Sequence, residues 1–205
     1  MSESHRVFVG GNWDRIGTLQ LDSMMDEGLK PGHYFLDLAC GALRAGIHFI
    51  PYLDEGHYWG LDKRQGLITA GIDKELDPQI YALKGPRFIV NANFDLSQVP
   101  TEIAFDYVLA ASLFTHLLPE GIEACVKAVL PRLAENGRFY ATYLLPGSVP
   151  SKGHLIDEGE LSWAELDLAW FEQAVTQMGA ELRLVPIYDH PLSQKLLCIS
   201  KKGAD

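Results

Sequence analysis

The stretch that decides the fold is Tyr34-Phe-Leu-Asp-Leu-Ala-Cys-Gly-Ala-Leu-Arg-Ala-Gly46, which is followed by Gly60-Leu-Asp62. The first segment has the pattern of a buried strand that ends in an acidic residue, then a glycine-bearing turn and the start of a helix. The second segment ends another apolar strand, again with a carboxylate. This order predicts a nucleotide cradle, because glycine lets the backbone approach a ligand and the second carboxylate can accept both hydroxyls of a ribose.

The glycine spacing does not match the dinucleotide fingerprint. The pattern G-x-G-x-x-G would place three glycines around a pyrophosphate, whereas this turn has only Gly41 and Gly46. A pyrophosphate would therefore be poorly held. A ligand that carries an adenosine and a small amino-acid tail, without phosphates, fits the pattern better.

These residues resemble the first motif of the class I S-adenosylmethionine-dependent methyltransferases, in which a hydrophobic strand precedes acid-x-Gly-x-Gly-x-Gly. The chain keeps the acid as Asp37 and the middle glycine as Gly41. Ala39 and Leu43 stand where the outer glycines usually do. The run from Cys40 to Gly46 is similar to a variant of this motif, Cys-Gly-x-Leu-Arg-x-Gly.

The resemblance spans about residues 10–201 and implies S-adenosyl-L-methionine as cofactor and S-adenosyl-L-homocysteine as product. It implies that Asp62 holds the ribose hydroxyls, with Lys63 beside it. Backbone at Gly41 and Ala39 would approach the cofactor closely. These expectations agree with the rule that ligands of open α/β sheets bind beyond the carboxyl ends of the strands.

Four further cofactor contacts follow from the resemblance, and some keep alternatives. Asp37 would face the methionine moiety or hold the loop by accepting backbone amides, and a purely structural role stays open. Arg44 would pair with a cofactor carboxylate, or with one of the two aspartates. Asn93 and Phe94, which follow the third strand, would meet the adenine.

Residues after the fourth and fifth strands complete the predicted site. A backbone carbonyl near Ala111 would receive the ammonium group of the cofactor. His116 is the candidate general base, because its ordinary pKa suits that work, although a capping or packing role is an alternative. Candidate acceptor contacts are Tyr143 and the loop 144–161.

The segment Gly10–Gly17 is dense in glycine, aromatic and charged residues. It is predicted either to fold over the cofactor, with Trp13 and Arg15 facing the site, or to be the plain start of a helix. His190, in the final hairpin, is expected to be structural.

Length, composition and charge narrow the class of protein. A chain of 205 residues with 47% hydrophobic and 21% charged residues predicts one globular domain over 1–205, a helical cap at 1–30 and a core at 31–205. No apolar run approaches the roughly 20 residues of a membrane helix. The N-terminus lacks a signal-peptide pattern, so a cytoplasmic protein is expected.

Charge and cysteine content bear on partners. The net charge of −10 disfavours nucleic acid and favours a small-molecule acceptor. Three widely spaced cysteines predict a reducing compartment, with no metal and no disulfide framework.

Apolar runs alternate with helical patterns, which predicts a parallel sheet covered by helices. Strands are predicted at about 34–38, 57–61, 87–90, 105–110, 138–144, 181–187 and 196–201. Helices are predicted at about 15–29, 43–50, from 65, 119–133 and 162–178. The connection 189–193 is too short for a crossover, so the last two strands should be antiparallel. The expected fold class is α/β, a three-layer αβα sandwich whose mostly parallel seven-stranded sheet has its last strand antiparallel.

The predicted function is methyl transfer from S-adenosyl-L-methionine to oxygen or nitrogen of a small molecule by in-line displacement. Two other hypotheses remain. One is a non-catalytic module that keeps this fold and binds cofactor or a partner. The other, a nicotinamide-dependent oxidoreductase, is disfavoured by the missing glycines and by the final hairpin.

Overall fold

A computed structural model describes residues 4–9, 11–148, 155–157, 160–161 and 163–203. Its helices are α1 Ser4–Phe8, α2 Trp13–Asp26, α3 Gly46–Tyr52, α4 Gln65–Lys74, α5 Pro78–Lys84, α6 Pro119–Val129 and α7 Leu168–Gln177. Its strands are β1 Phe35–Leu38, β2 Tyr58–Asp62, β3 Arg87–Val90, β4 Phe105–Ala110, β5 Leu133–Tyr143, β6 Leu155–Asp157, β7 Glu160–Leu161, β8 Ala180–Leu184 and β9 Lys195–Lys201.

Seven of these strands form one sheet in the order β3-β2-β1-β4-β5-β9-β8. Strand β2 pairs in parallel with both β1 and β3, and β4 pairs in parallel with β5. The last strand, β9, is antiparallel to both β5 and β8. A mostly parallel sheet with flanking helices and an antiparallel last strand confirms the predicted α/β class.

The chain packs as two compact units, residues 1–92 and 93–205. In the core of the first unit, the ring of Phe35 stacks on Phe49 and on Tyr58, with its ring centre 4.3 Å from that of Phe49 and 6.2 Å from that of Tyr58. In the second, Phe171 lies 5.0 Å from Tyr143. The described residues include no helix that is both long enough and apolar enough to cross a membrane.

Two prolines behave differently from a simple stop signal. The end predicted for the helix at 43–50 was wrong, because α3 continues through Pro51 to Tyr52 and the N–H of Leu53 still donates to the carbonyl of Phe49. Proline removes only its own hydrogen bond, so the last turn of a short helix tolerates it. Pro78 opens α5 at the first helical position, where Asp77 caps the helix by accepting from the N–H of Gln79.

The boundary between α6 and β5 also differs from the prediction. The α-helix ends at Val129 and a 3₁₀ turn covers Leu130–Arg132. Asn136 and Gly137 lie within β5 and do not end a helix. The pairing of β4 with β5 shifts register between Phe105 and Tyr107, so local pattern could not locate the strand start.

Helix α7 begins later than predicted. Asp167 is its N-cap, accepting from the N–H of Trp170 at 2.9 Å. Residue 162, where the helix was predicted to begin, lies outside the described residues. Strands β6 and β7, which form a separate two-stranded sheet, were not predicted. Runs of two and three residues are too short to carry a period-2 signal.

Helices α2 and α3 pack closely at a glycine, which gives a test of the packing. A Cβ added at Gly17 would lie 2.6 Å from His48 Nε2 and 2.7 Å from the carbonyl oxygen of Arg44. We expect Gly17→Ala to lower the free energy of unfolding by about 1–3 kcal/mol in urea denaturation. Gly66→Ala in α4 is the control, because a Cβ there meets nothing within 4 Å and should stabilise by about 0.5–1 kcal/mol. Equal effects of the two substitutions would contradict this packing.

Candidate functional site

The carboxylate of Asp62 is fixed by two backbone amides at the end of β2. Its Oδ2 accepts from the N–H of Gly41 at 2.9 Å, and its Oδ1 accepts from the N–H of Arg64 at 2.8 Å. The side chain is only 6% exposed. A carboxylate has about four acceptor positions, so these two bonds orient the group and leave one position on each oxygen.

The loop between β1 and α3 has a left-handed backbone at every second residue. The φ angles are 59° at Ala39, 54° at Gly41 and 66° at Leu43. A Cβ at Gly41 would lie 3.1 Å from the side chain of Val9, which would have to shift by a few tenths of an ångström, and a Cβ would also strain this φ. Ala39 and Leu43 replace two glycines of the resembled motif, yet they keep the backbone that glycine would adopt.

Asp37 lies in β1 and is buried. Its Oδ2 accepts from the hydroxyl of Tyr58 at 2.8 Å. Burial raises the pKa of Asp37 from 3.8 to about 7, the Tyr58 hydrogen bond lowers it, the charge of Asp62 raises it and that of Arg44 lowers it. The carboxyl group of Asp37 is therefore partly protonated and partly ionised near neutral pH. A Cβ at Gly46 would lie 2.9 Å from the Tyr58 hydroxyl, which explains the second glycine of the motif.

The N-terminal strap, which we define as residues 4–9 with Gly11, is held against the glycine loop. The guanidinium of Arg44 donates from Nη1 to the carbonyl of Val9 at 2.8 Å, and lies 3.4 Å from that of Gly11. The ring of Phe8 lies beneath the guanidinium of Arg64, 4.9 Å from its carbon. The predicted segment Gly10–Gly17 thus contributes through Gly11, while Gly10 itself lies outside the described residues.

Glu75, at the end of α4, fastens the other side of the strap. Its Oε1 contacts Nε2 of His5 at 2.5 Å and accepts from Nε of Arg6 at 2.8 Å, and its Oε2 accepts from Nη2 of Arg6 at 2.6 Å. The bidentate bond from Arg6 lowers the pKa of Glu75 more than its burial raises it. Trp13 is buried against this cluster, 5.1 Å from the Arg6 guanidinium, whereas Arg15 is exposed.

The turn that follows β4 in the second unit is held by a polar network. Ser112 has a left-handed backbone, with φ 59°. Its N–H donates to Oγ1 of the buried Thr142 at 2.6 Å, and its hydroxyl donates to Oε1 of Gln194 at 3.1 Å. Thr115 donates to the carbonyl of Ser112 at 2.9 Å. A strained residue held by three hydrogen bonds, two of them to residues 30 and 82 positions away, is typical of a functional turn.

The remaining predicted residues of the second unit lie near this turn or before β4. Ala111 and His116 are half-buried, and the N–H of His116 donates to the carbonyl of Leu113. Asn93 is exposed, and Phe94 has φ 59°. In the first unit, Lys63 directly follows Asp62 and is half-buried. The roles assigned to these residues stay predictions.

The predicted acceptor loop 144–161 is described only in part. Residues 149–154 and 158–159 lie outside the described range, and with them His154. Leu144 bridges to Glu165, and its carbonyl accepts from the N–H of Leu166. Tyr143 is buried against Phe171. The described residues contain no group of three or more His, Cys, Asp or Glu side chains that could hold a metal ion.

Several residues that shape these sites were not predicted. Tyr58 could have been found, because it lies on the same face of β2 as Asp62 and its register partner, Phe35, precedes Asp37 by two residues and so shares its face of β1. Val9, Glu75, Thr142 and Gln194 carry no local signal. Each acts across a long sequence separation, which only the folded chain reveals.

The raised pKa of Asp37 predicts a stability that depends on pH. The unfolded carboxyl loses its proton near 3.8 and the folded one near 7, so the folded state binds more protons between these values and its stability falls as pH rises through that window. We expect Asp37→Asn to raise the free energy of unfolding by about 2–3 kcal/mol more at pH 8 than at pH 5. Urea denaturation at both pH values measures this.

The exposed Asp73, in the same unit, provides the control for that experiment. Asp73→Asn should change the free energy of unfolding by less than about 0.5 kcal/mol at either pH. A gain from Asp37→Asn that is the same at pH 5 and pH 8 would show that Asp37 does not carry the raised pKa.

The bonds at Glu75 predict how firmly the strap is held. Glu75→Gln removes the charge that Arg6 and His5 meet, so we expect hydrogen exchange at the amides of Val9 and Gly11 to accelerate by roughly tenfold. These amides donate to the carbonyls of His5 and Arg6. Glu123→Gln is the control, because its ion pair with Lys127 is an exposed i,i+4 pair. Unchanged exchange in Glu75→Gln would mean that other contacts hold the strap.

No family model matches the chain. An S-adenosylmethionine-dependent methyltransferase from Clostridium acetobutylicum ATCC 824 matches with a TM-score of 0.67 and 13% identity, covering 96% of this chain and 95% of that chain.

Two further solved structures were determined with bound S-adenosyl-L-homocysteine. Magnesium protoporphyrin IX methyltransferase from Synechocystis PCC 6803 has a TM-score of 0.67 and 15% identity over 92% of this chain and 85% of that chain. The glycopeptide N-methyltransferase MtfA has a TM-score of 0.69 and 11% identity over 90% of each chain. At such identities the likeness is one of fold, and the chain has the fold of the class I S-adenosylmethionine-dependent methyltransferases.

Proposed function

We propose that the protein transfers a methyl group from S-adenosyl-L-methionine to an oxygen or nitrogen atom of a small molecule. The observation that carries the proposal is the Asp62 carboxylate, which two backbone amides hold in place at the end of β2. The fold likeness to methyltransferases supports it, since two of those structures contain the demethylated cofactor.

The residues of the first unit fit an adenosine that has a methionyl tail. In the contacts that the structure describes, each carboxylate oxygen of Asp62 has one acceptor position left. The two neighbouring hydroxyls of a ribose could donate to these two positions. Gly41 has a left-handed backbone and no side chain, so a ligand can approach its peptide group closely. Asn93, Phe94 and the carbonyl of Ala111 would supply adenine and ammonium contacts.

The charge of the first unit's site favours a cation over a diphosphate. Burial and the charge of Asp62 raise the pKa of Asp37, and the Tyr58 hydrogen bond and Arg44 offset only part of this rise. A positively charged ligand would stabilise the ionised Asp37, whereas phosphates would oppose both carboxylates. The sulfonium of S-adenosyl-L-methionine supplies this positive charge and an activated methyl group when bound.

The work left to the protein is mainly alignment. Holding a donor and an acceptor in line contributes up to roughly 7–11 kcal/mol in well-oriented reactions. The Ser112 network would fix the turn after β4, and the strap would restrict water at the glycine loop. His116 would accept the proton of a hydroxyl acceptor, and an acceptor without a proton would need no base.

Asp62→Asn tests the proposal directly. The amide can accept at one oxygen only, so we expect titration calorimetry to show S-adenosyl-L-homocysteine binding at least tenfold weaker, about 1.4 kcal/mol or more. Asp73→Asn, which has the same charge change on the exposed face of α4, should bind normally.

Two controls are needed, namely the folding of the variant and the binding of S-adenosyl-L-homocysteine to the wild-type protein. Circular dichroism must first show that Asp62→Asn folds, because the substitution also removes an acceptor from a backbone amide. Absence of binding to the wild-type protein at millimolar concentration would remove the main support for the proposal. Binding without turnover on a panel of acceptors would instead indicate a non-catalytic module.

A further inference from the structure

The second unit contains a pocket of about 210 Å³ over the strands β5, β9 and β8. Register places Arg138 beside Ser200, and Ser200 beside Glu181, on one row across the three strands. The next row on the same side of the sheet holds Tyr140, Cys198 and Arg183. Strand β9 therefore forms the floor, and side chains of β5 and β8 form the walls.

Two arginine side chains that line this pocket lie beside one buried tyrosine, Tyr140. Nη2 of Arg183 donates to the hydroxyl of Tyr140 at 3.4 Å, and Arg138 lies two residues before Tyr140 on the same side of β5. Burial lowers the pKa of Arg138, and a hydrogen bond to Tyr140 raises it. Tyr140 is fully buried, and its ring stacks on Tyr107 with the planes 6° apart. The Tyr140 side chain is thus fixed in place, so the two cations beside it are held near each other.

An anion between the two guanidiniums would interact favourably with both of them. The other polar groups of the wall and floor include donors, namely the hydroxyl of Ser200 and the amide of Asn136. Planar guanidinium donors match the oxygens of phosphate and carboxylate groups and often bind them in pairs. Glu181 is the acidic residue of the lining, so the formal charge of the pocket is positive in a chain whose net charge is −10.

We propose that this pocket binds an oxyanion, the phosphate or carboxylate group of a small ligand. The site rests on three adjacent strands, which hold it more rigidly than a loop would. The proposal is independent of the proposed function, since none of its residues belongs to the sites described above.

Side-chain NMR of the full chain tests the proposal. Sodium phosphate and sodium acetate are titrated separately, each against sodium chloride at equal ionic strength. We expect saturable shifts of the Nε–H signals of Arg138 and Arg183 with millimolar affinity. Phosphate binding without acetate binding would assign the site to phosphoryl groups, and the reverse result to carboxylates. Shifts that chloride reproduces, or that do not saturate, would overturn the proposal.

Substitutions of opposite sign sharpen the test. Arg183→Gln should weaken binding by roughly tenfold or more, because it removes a charge-assisted donor. Glu181→Gln should strengthen binding a few-fold, because it removes the repelling charge. Arg87→Gln, on the exposed edge strand β3, is the matched control and should leave affinity unchanged. Equal losses in Arg183→Gln and Arg87→Gln would show only general electrostatics and would overturn the proposal.

Discussion

The arrangement of the first unit depends on one buried carboxylate. Asp62 joins the loop that follows β1 to the turn that follows β2, because one oxygen accepts from Gly41 and the other from Arg64. The N–H of Cys40 reinforces this connection by donating to the carbonyl of Leu61 at 3.0 Å. A buried backbone amide that loses its acceptor costs about 1–3 kcal/mol, so the loop has little freedom to take another shape.

This constraint explains why the loop keeps its backbone where glycine is absent. A left-handed conformation costs a residue with a Cβ about 1–2 kcal/mol. Ala39 and Leu43 both adopt it, and Leu43 is also fully buried. Burial of a leucine side chain contributes about 1.5–3 kcal/mol, which offsets the strain at that position. The packing of Leu43 thus replaces the conformational freedom that glycine supplies in the resembled motif.

The residues at the ends of the strands could be predicted from the sequence, whereas most of the residues that contact them could not. Asp37, Gly41 and Asp62 could be placed together because the carboxyl ends of parallel strands lie at one edge of a sheet, and the antiparallel final strand followed from a short connection. Contacts such as Glu75 with the strap, or Gln194 with Ser112, join positions 69 to 82 residues apart. No local periodicity encodes such pairs, so sequence reasoning could not find them.

Under the proposed function, Asp37 would distinguish ligands by their charge. A neutral residue in this buried position would make the fold more stable. Burial disfavours the ionised carboxylate, and in the contacts that the structure describes only the Tyr58 hydroxyl donates to it. Because the pKa of Asp37 is about 7, the charge of a bound ligand could shift this carboxyl group toward its ionised or its protonated form. A cation would draw the proton off and gain a carboxylate partner, whereas a diphosphate would hold the proton on and gain nothing. Under the proposed function, the same residue that weakens the fold would therefore favour a sulfonium-bearing nucleoside over a dinucleotide.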